Sequence, residues 1–293
     1  MAHPGIVLSR LVLASLLLVA VLLVPNHAVS QVGPGDGVQP LEGLNGQLDS
    51  QQIPTTVHRD PRAVAVLNQC LNAAGGVEAI SAIKDFTAIG KIAYNWGDQP
   101  AHGSVTIKDR GLSEFRLDAS LDDGVHSWMV SDGKALEKPP DGASKPLPIQ
   151  NALKPASVTF PLLQLVAGMT DPSTSISYVG LVHHKGQQAY DIRLQKTFPA
   201  HTDPLGLRSR ITKADFLIDP STFLILSVRD MAYRRDNKPG ESRHEMQFSG
   251  YQQKNGILVP LAIKELIGKQ ETVSIQLSQI TFNSGLTHAD FTF

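Results

Sequence analysis

Histidine side chains are the residues in this sequence that most readily suggest a metal or acid–base site. They occur as the pair His183-His184 and singly at positions that include His201, His244 and His288. Neighbouring side chains on a strand point to opposite faces of the sheet, so His183 and His184 do not share one ion without a bulge. The His-x-His and His-Glu-x-x-His spacings of zinc sites do not occur. The pattern therefore predicts neither a metal site nor a cofactor.

Acidic and nucleophilic side chains are the next candidates for chemistry. Asp215 and Asp219 lie four residues apart on a predicted strand and share a face, as a pair of acid–base carboxylates would. We interpret them instead as turn-capping and solvent-exposed groups. Cys70 lies in a predicted helix with no acid–base partner nearby in the sequence, which is typical of a small core residue.

Two further motifs that would indicate an enzyme are missing or misplaced. The sequence has no Gly-x-Ser-x-Gly elbow for a nucleophilic serine. The glycine-rich stretch from Gly33 to Gly37 has no predicted strand before it and no helix after it, so it does not form a phosphate-binding loop. We therefore predict that the protein is not an enzyme. An envelope-attached enzyme or sensor remains an alternative, and a cluster of His183, His201 and Asp215 in one pocket would favour it.

The N-terminal residues have the pattern of an export signal. Arg10 precedes an uncharged apolar stretch of fourteen residues, Leu11–Val24, and the small residues Ala28-Val29-Ser30 follow. We predict a signal peptide over 1–30, cleaved near Ser30, and a periplasmic or secreted protein. An uncleaved anchor is the alternative, although fourteen residues underfill a bilayer. Five glycines and three prolines between Gln31 and Thr56 predict a flexible tether over 31–58, followed by one domain over 59–293.

Charge and cysteine content narrow the possible partners. The chain has 26 basic and 27 acidic residues and no basic run, which argues against nucleic acid as a partner. Cys70 is the single cysteine, so the apolar stretch is not followed by a lipid-anchoring cysteine and no internal disulfide forms.

Three short helices are predicted. Asp60-Pro61 supplies an N-cap and a first-turn proline, and a stripe through Val64, Leu67 and Leu71 ends at Gly75-Gly76. A second helix is predicted over 77–83. The third, over 160–167, is apolar nearly all round, so it must be buried or must contact something apolar.

Strands account for most of the remaining chain. Three of them form a meander between Arg243 and Leu277, in which His244, Met246 and Phe248 alternate with polar residues. Asn255-Gly256 predicts a tight hairpin turn. Pro260 has no N–H and is expected at an edge or a bulge. Further strands are predicted over 86–94, 103–108, 115–117, 127–131, 175–182, 188–195, 214–218 and 223–233.

Two long loops separate these strands. The first, from Glu137 to Pro155, contains five prolines, and a loop of that length is usually mobile or functional, for example as a lid. The second runs from Thr197 to Arg210. Trp96 and Trp128 could line a ligand site, but a structural role is the simpler interpretation.

The number of strands has a consequence for the interior. About ten strands of about six residues offer about thirty inward side chains, whereas the three helices offer about a dozen. Either the sheet curls and fills its own interior, or a cavity remains for an apolar ligand. A purely structural envelope protein would have no such cavity.

Turn and strand-end patterns along the chain resemble those of the outer-membrane lipoprotein-sorting (LolA/LolB-like) superfamily. The matching segments are 71–76, Tyr178-Val179-Gly180, Lys185-Gly186, 189–194, 216–222, Gly250-Tyr251, Asn255-Gly256-Ile257 and Pro260. The resemblance implies a mainly β (α+β) fold, in which a strongly curved antiparallel sheet forms an open half-barrel with a few short helices as a lid in its concave face. It also implies a carrier of lipids or lipoproteins across the periplasm.

We therefore predict a periplasmic carrier or chaperone for lipid acyl chains or a lipidated protein. Envelope proteins are possible partners, and peripheral contact with a membrane is possible. The helix over 160–167 and the loop before it are expected to act as a movable lid. The predicted ligand-lining residues are Trp128, Phe160, Leu163, Val166, Ile192, Leu194, Phe216, Ile218, Met246, Phe248, Val259, Leu261 and Ile275.

Overall fold

The computed structural model describes residues 57–95, 100–147, 159–233 and 241–293. The predicted signal peptide, most of the predicted tether, Trp96 and the second part of the proline-rich loop lie outside the described residues. Within them, the helices are α1 (Pro61–Ala73), α2 (Val77–Ser81), α3 (Pro161–Thr170) and α4 (Leu207–Ile211), and a 3₁₀ turn spans His288–Phe291. The strands are β1 (Asp85–Tyr94), β2 (Ala101–Arg110), β3 (Glu114–Leu121), β4 (Gly124–Ser131), β5 (Lys134–Lys138), β6 (Lys145–Pro146), β7 (Thr174–His184), β8 (Gln187–Lys196), β9 (Ala214–Ile218), β10 (Ile225–Tyr233), β11 (Glu241–Lys254), β12 (Ile257–Ile267) and β13 (Gln270–Phe282).

All thirteen strands belong to one antiparallel sheet in the order β6-β5-β4-β3-β2-β1-β13-β12-β11-β10-β9-β8-β7. The last strand lies beside the first, so the two halves of the chain join in the middle of the sheet. The edges β6 and β7 do not pair with each other, so the sheet stays open. The predicted fold class, a mainly β half-barrel with a few short helices, is confirmed.

The central meander of β11, β12 and β13 is also confirmed. Asn255 and Gly256 have φ angles of 50° and 82°, as a tight hairpin turn requires. Pro260 pairs with Tyr251 of β11, whereas the ladder with β13 begins only at Ala262. The amide of Leu258 donates to the carbonyl of Ala74, which lies outside the sheet. The nitrogen of Pro260, two residues further along β12, points to the same side as that amide. No strand pairs with β12 on that side at this position, so the missing N–H of proline breaks no hydrogen bond of the sheet.

A bulge bends the sheet where β1 meets β13. The register shifts between Ile89 and Gly90. A Cβ atom at Gly90 would lie 2.3 Å from the carbonyl oxygen of Gln276, so this close approach of the two strands requires glycine.

Helices α1, α2 and α3 pack together against the inward face of the sheet and share one apolar core with it. The side chain of Asp60 caps α1 by accepting from the Arg62 amide at 2.8 Å. At the start of α3, the Phe160 ring lies 5.9 Å from Phe86 of β1 and 5.6 Å from Phe282 of β13. The prediction that the apolar helix is buried is confirmed for its first half, whereas residues 166–169 are only half-buried.

Both predicted loops contain regular structure. The described part of the first loop includes the end of β5 and the short edge strand β6, in which Pro146 pairs with Leu136. An edge strand tolerates proline because one side needs no hydrogen bond. The second loop ends in α4, whose first amides, from Arg208 and Ser209, donate to the Asp203 carboxylate. In addition, α3 extends to Thr170, three residues beyond its predicted end, and α2 stops at Ser81 rather than at residue 83.

Candidate ligand-binding site

The described residues enclose a cavity between α3 and the inward face of the sheet, which we call the α3 cavity. Its interior volume is about 350 Å³, and the space including its open mouth is about 1040 Å³. One wall is α3, the opposite wall combines β8 with α4, and the turns β2–β3 and β4–β5 close one end. The lining residues are Leu112, Ser113, Val130, Gly133, Gln164, Ala167, Gly168, Asp171, Thr174, Leu194, Gln195, Lys196, Phe198, Arg208 and Thr212.

The walls of the α3 cavity are mostly apolar. They present Leu112, Val130, Ala167, Leu194 and Phe198. A Cβ atom on Gly168 would lie 2.5 Å from Cδ2 of Leu194. The glycine thus lets the backbone of α3 lie against β8 beside the cavity. We refer to the apolar part of the cavity as the slot.

Charged residues are confined to the rim of this cavity. Lys196 Nζ lies 2.8 Å from Oδ2 of Asp171. Burial alone would raise the pKa of Asp171, but hydrogen bonds from Lys196 and Ser173 lower it to about 2. The Arg208 guanidinium lies over the Phe198 ring, 4.4 Å from its centroid. Aromatic faces attract cations in this geometry.

Arg59 holds the C-terminal end of α3. Its guanidinium donates to the carbonyl oxygens of Met169, Asp171 and Gly168 at 2.7, 2.6 and 3.3 Å. These carbonyls have no partner within the helix, and a cation at this end also complements the helix dipole. The position of this wall therefore depends on a residue that precedes α1.

A smaller cleft of about 20 Å³ lies between the start of α3 and strands β9 to β11. His244, buried on the inward face, reaches it together with Asp230. His244 Nδ1 lies 2.6 Å from Asp230 Oδ1, and Nε2 lies 3.2 Å from Glu265 Oε1. Thr272 Oγ1 donates to the other oxygen of Glu265 at 2.6 Å. Burial opposes a charged imidazole, but the two carboxylates outweigh it and raise the pKa of His244 to about 9.

The predicted ligand-lining residues all face the interior. Leu194 lines the α3 cavity and Met246 lines the smaller cleft. Trp128 packs against Phe115, with ring centroids 4.9 Å apart. The remaining predicted residues belong to the apolar core or, for Val166, pack against it: Phe160, Leu163, Val166, Ile192, Phe216, Ile218, Phe248, Val259, Leu261 and Ile275. Their contact with a ligand stays a prediction.

Most of the cavity-lining residues escaped the sequence patterns. Leu112 and Gly133 lie in turns, while Phe198 and Arg208 lie in the segment predicted as a loop. None of these four residues belongs to a stretch with the side-chain periodicity of a helix or a strand. The sequence did indicate two positions of the lining: Ala167, in the predicted apolar helix, and Leu194, in a predicted strand.

The side chains considered for catalysis have other roles where they are described. Asp215 forms two hydrogen bonds with Arg193, at 2.6 and 2.9 Å. Asp219 caps a turn by accepting from the amides of Ser221 and Thr222, as predicted. His184 is buried and His183 is exposed, consistent with their opposite faces. In the part of the chain that the structure covers, no three His, Cys, Asp or Glu side chains are grouped to hold a metal.

No family model and no curated protein matches the chain. Among solved structures, it matches a protein described as an outer-membrane lipoprotein-sorting domain from Vibrio parahaemolyticus, at 13% identity and a TM-score of 0.49, covering 79% of this chain and 96% of that one. It also matches a LolA superfamily protein from Nitrosomonas europaea, at 10% identity and a TM-score of 0.48, covering 79% and 97%. A third match is a DUF1329 family protein from Desulfovibrio piger, at 12% identity and a TM-score of 0.43, covering 78% and 97%.

Proposed function

We propose that this chain is a non-enzymatic carrier or chaperone that shelters an acyl chain, from a lipid or a lipidated protein, in the α3 cavity. The observation that carries this proposal is the apolar slot that the packed core leaves open between α3 and β8. Small-molecule sites have volumes of about 300–1,000 Å³ and mostly apolar surfaces. The α3 cavity has a volume in this range, and more of its accessible surface is apolar than polar. Apolar burial is worth about 25 cal/mol per Å², so an acyl chain that leaves water for this slot gains affinity.

In this proposal α3 is the movable wall. Its C-terminal end is held by hydrogen bonds from Arg59 and by the ion pair between Asp171 and Lys196, which can break and re-form without unfolding the sheet. Its close packing on Leu194 depends on Gly168 having no side chain. A modest outward shift of α3 would widen the slot and admit a ligand.

The cellular setting is also part of the proposal. The signal peptide over 1–30, the tether over 31–58 and the periplasmic or secreted location follow from the N-terminal sequence pattern. Envelope proteins and the membrane surface would then be the donors and acceptors of the ligand. In the described ranges, no helix combines the length and apolar character needed to span a membrane.

Native mass spectrometry of the gently purified protein, with organic extraction, tests for a bound lipid. A displacement assay with a fluorescent fatty acid then measures affinity for the wild type and for Ala167→Phe, which fills the slot. We expect the bulky side chain to weaken binding at least about tenfold, because it occupies the volume that the acyl chain needs. Ala65→Phe, on the exposed face of α1, is the matched control and should bind as the wild type does.

The melting temperatures of both variants must stay near that of the wild type for the comparison to hold. A protein that carries no lipid and also fails to bind the fluorescent fatty acid would refute the carrier function. Equal binding by Ala167→Phe and the wild type would place the ligand elsewhere.

A further inference from the structure

The rim of the α3 cavity has a net positive charge. Of the residues that line it, the charged ones are Asp171, Lys196 and Arg208. The first two form an ion pair with each other. Within the described residues Arg208 has no such carboxylate partner, and the nearby Asp203 is occupied by the backbone amides of Arg208 and Ser209. The Arg208 guanidinium therefore forms no ion-pair contact among the described residues, although its charge acts on the nearby Asp203 carboxylate and helps to lower the pKa of that group.

The setting of this arginine suits it to bind an anion. Arg208 is partly buried, and its guanidinium lies over the Phe198 ring. Stacking uses the face of the guanidinium and leaves the N–H groups at its edge free to donate. Those groups match a carboxylate or phosphate in a two-pronged hydrogen bond, which is among the stronger interactions of charged groups in proteins.

We propose that the α3 cavity selects single-chain amphiphiles with an anionic head, with Arg208 binding the head at the rim. This proposal rests on the carrier function above. The apolar chain lies along the walls formed by Leu112, Val130, Ala167 and Leu194. The interior volume of about 350 Å³ is near the lower end of the usual range of about 300–1,000 Å³, which favours one chain over two.

The experiment measures displacement of a neutral fluorescent alkyl probe by five competitors at concentrations below micelle formation. They are dodecanoate, dodecyl phosphate, dodecanol, dodecyltrimethylammonium and inorganic phosphate. The protein is the mature chain as the wild type, Arg208→Gln and Arg208→Lys. Arg210→Gln removes the same charge two residues away in α4, at an exposed position outside the cavity lining, and is the matched control.

For the wild type we expect the two anionic amphiphiles, dodecanoate and dodecyl phosphate, to bind at least about tenfold more tightly than dodecanol, as a charge-assisted contact predicts. Arg208→Gln should abolish that preference, so that dodecanoate and dodecyl phosphate bind this variant no more tightly than dodecanol does. Arg208→Lys should restore part of it, because the charge returns without the planar donors. Arg210→Gln should behave as the wild type, and the cationic competitor should be the weakest of the amphiphiles.

The outcomes separate the two proposals. If dodecanol binds as tightly as dodecanoate and Arg208→Gln changes nothing, head-group selection is refuted while the carrier function stands. If inorganic phosphate competes as well as dodecyl phosphate, the rim binds free anions and the amphiphile proposal is refuted. If neither the probe nor any amphiphile binds the wild type, the carrier function itself is refuted. Melting curves show whether each variant is folded. If Arg208→Gln does not fold, the weaker preference of Arg208→Lys for the anionic amphiphiles provides the test.

Discussion

Raising the pH from 6.5 to 9.5 should destabilise the protein through a single buried side chain, His244. This imidazole is almost fully buried and lies between the carboxylates of Asp230 and Glu265. The two carboxylates favour its charged form strongly enough to outweigh burial, and its pKa rises from 6.5 to about 9. The folded state therefore keeps a proton on His244 that the unfolded state releases in this pH range.

The sign and size of the effect follow from proton linkage. Because the pKa is higher in the folded state, the stabilisation is complete below pH 6.5 and is lost as the pH rises through about 9. Each pH unit between the two values is worth about 1.4 kcal/mol, so the free energy of unfolding should fall by about 3 kcal/mol in total.

Urea denaturation at intervals across this pH range measures the loss directly, and the NMR signals of labelled imidazoles report which histidine titrates. Asp230→Asn removes one of the two carboxylates, so it should lower the pKa of His244 and shrink the alkaline loss. His183→Gln changes an exposed histidine on β7 and should retain the full loss. A constant unfolding free energy from pH 6.5 to 9.5, or a His244 signal that titrates near pH 6.5, would show that the carboxylates do not hold the imidazole charged.

Three further predictions concern helix α3, strand β8 and the bulge between β1 and β13. Arg59→Gln should lower the free energy of unfolding by about 1 kcal/mol and speed hydrogen exchange in α3, because the helix loses its C-terminal hydrogen bonds. The control Lys91→Gln, at an exposed position on β1, should leave the exchange rates of α3 unchanged. Unchanged exchange in Arg59→Gln would contradict the capping role. Burial is the larger cause and the nearby Asp215 carboxylate the smaller cause of the raised pKa of Asp191, which is about 6. Asp191 is therefore charged at an unfavourable site at pH 7.5 and mostly neutral at pH 4. Asp191→Asn should stabilise the fold by about 1–2 kcal/mol at pH 7.5 and by much less at pH 4. Thermal melts at both pH values test this, and an equal effect at pH 4 and 7.5 would count against it. Gly90→Ala places a methyl group against the backbone of Gln276, so it should lower the free energy of unfolding by about 2–4 kcal/mol, as measured by urea denaturation. An unchanged denaturation midpoint would mean that the bulge tolerates a side chain.

The strands and hairpins were largely predictable because their causes are local. Alternating side chains define a strand within a few residues, and Asn255-Gly256 specifies its own turn. The alternation also placed His244 on the same apolar strand face as Met246 and Phe248. The short strand β6 and helix α4 were missed because each depends on a partner: β6 exists by pairing with β5, and Asp203 caps α4 through its first amides.

By itself, the sequence determined that the chain forms an antiparallel sheet with too few helices to fill it, since period and turn chemistry are properties of neighbouring residues. Only the tertiary structure decided where the unfilled space lies. The α3 cavity is lined by Leu112, Leu194 and Arg208, which come together because the sheet curves and α3 packs across it. The charge of His244 was likewise decided in three dimensions, because Asp230 and Glu265 reach it from the strands on either side of β11. Burial and electrostatic contact depend on such distant neighbours, and no short stretch of sequence contains them.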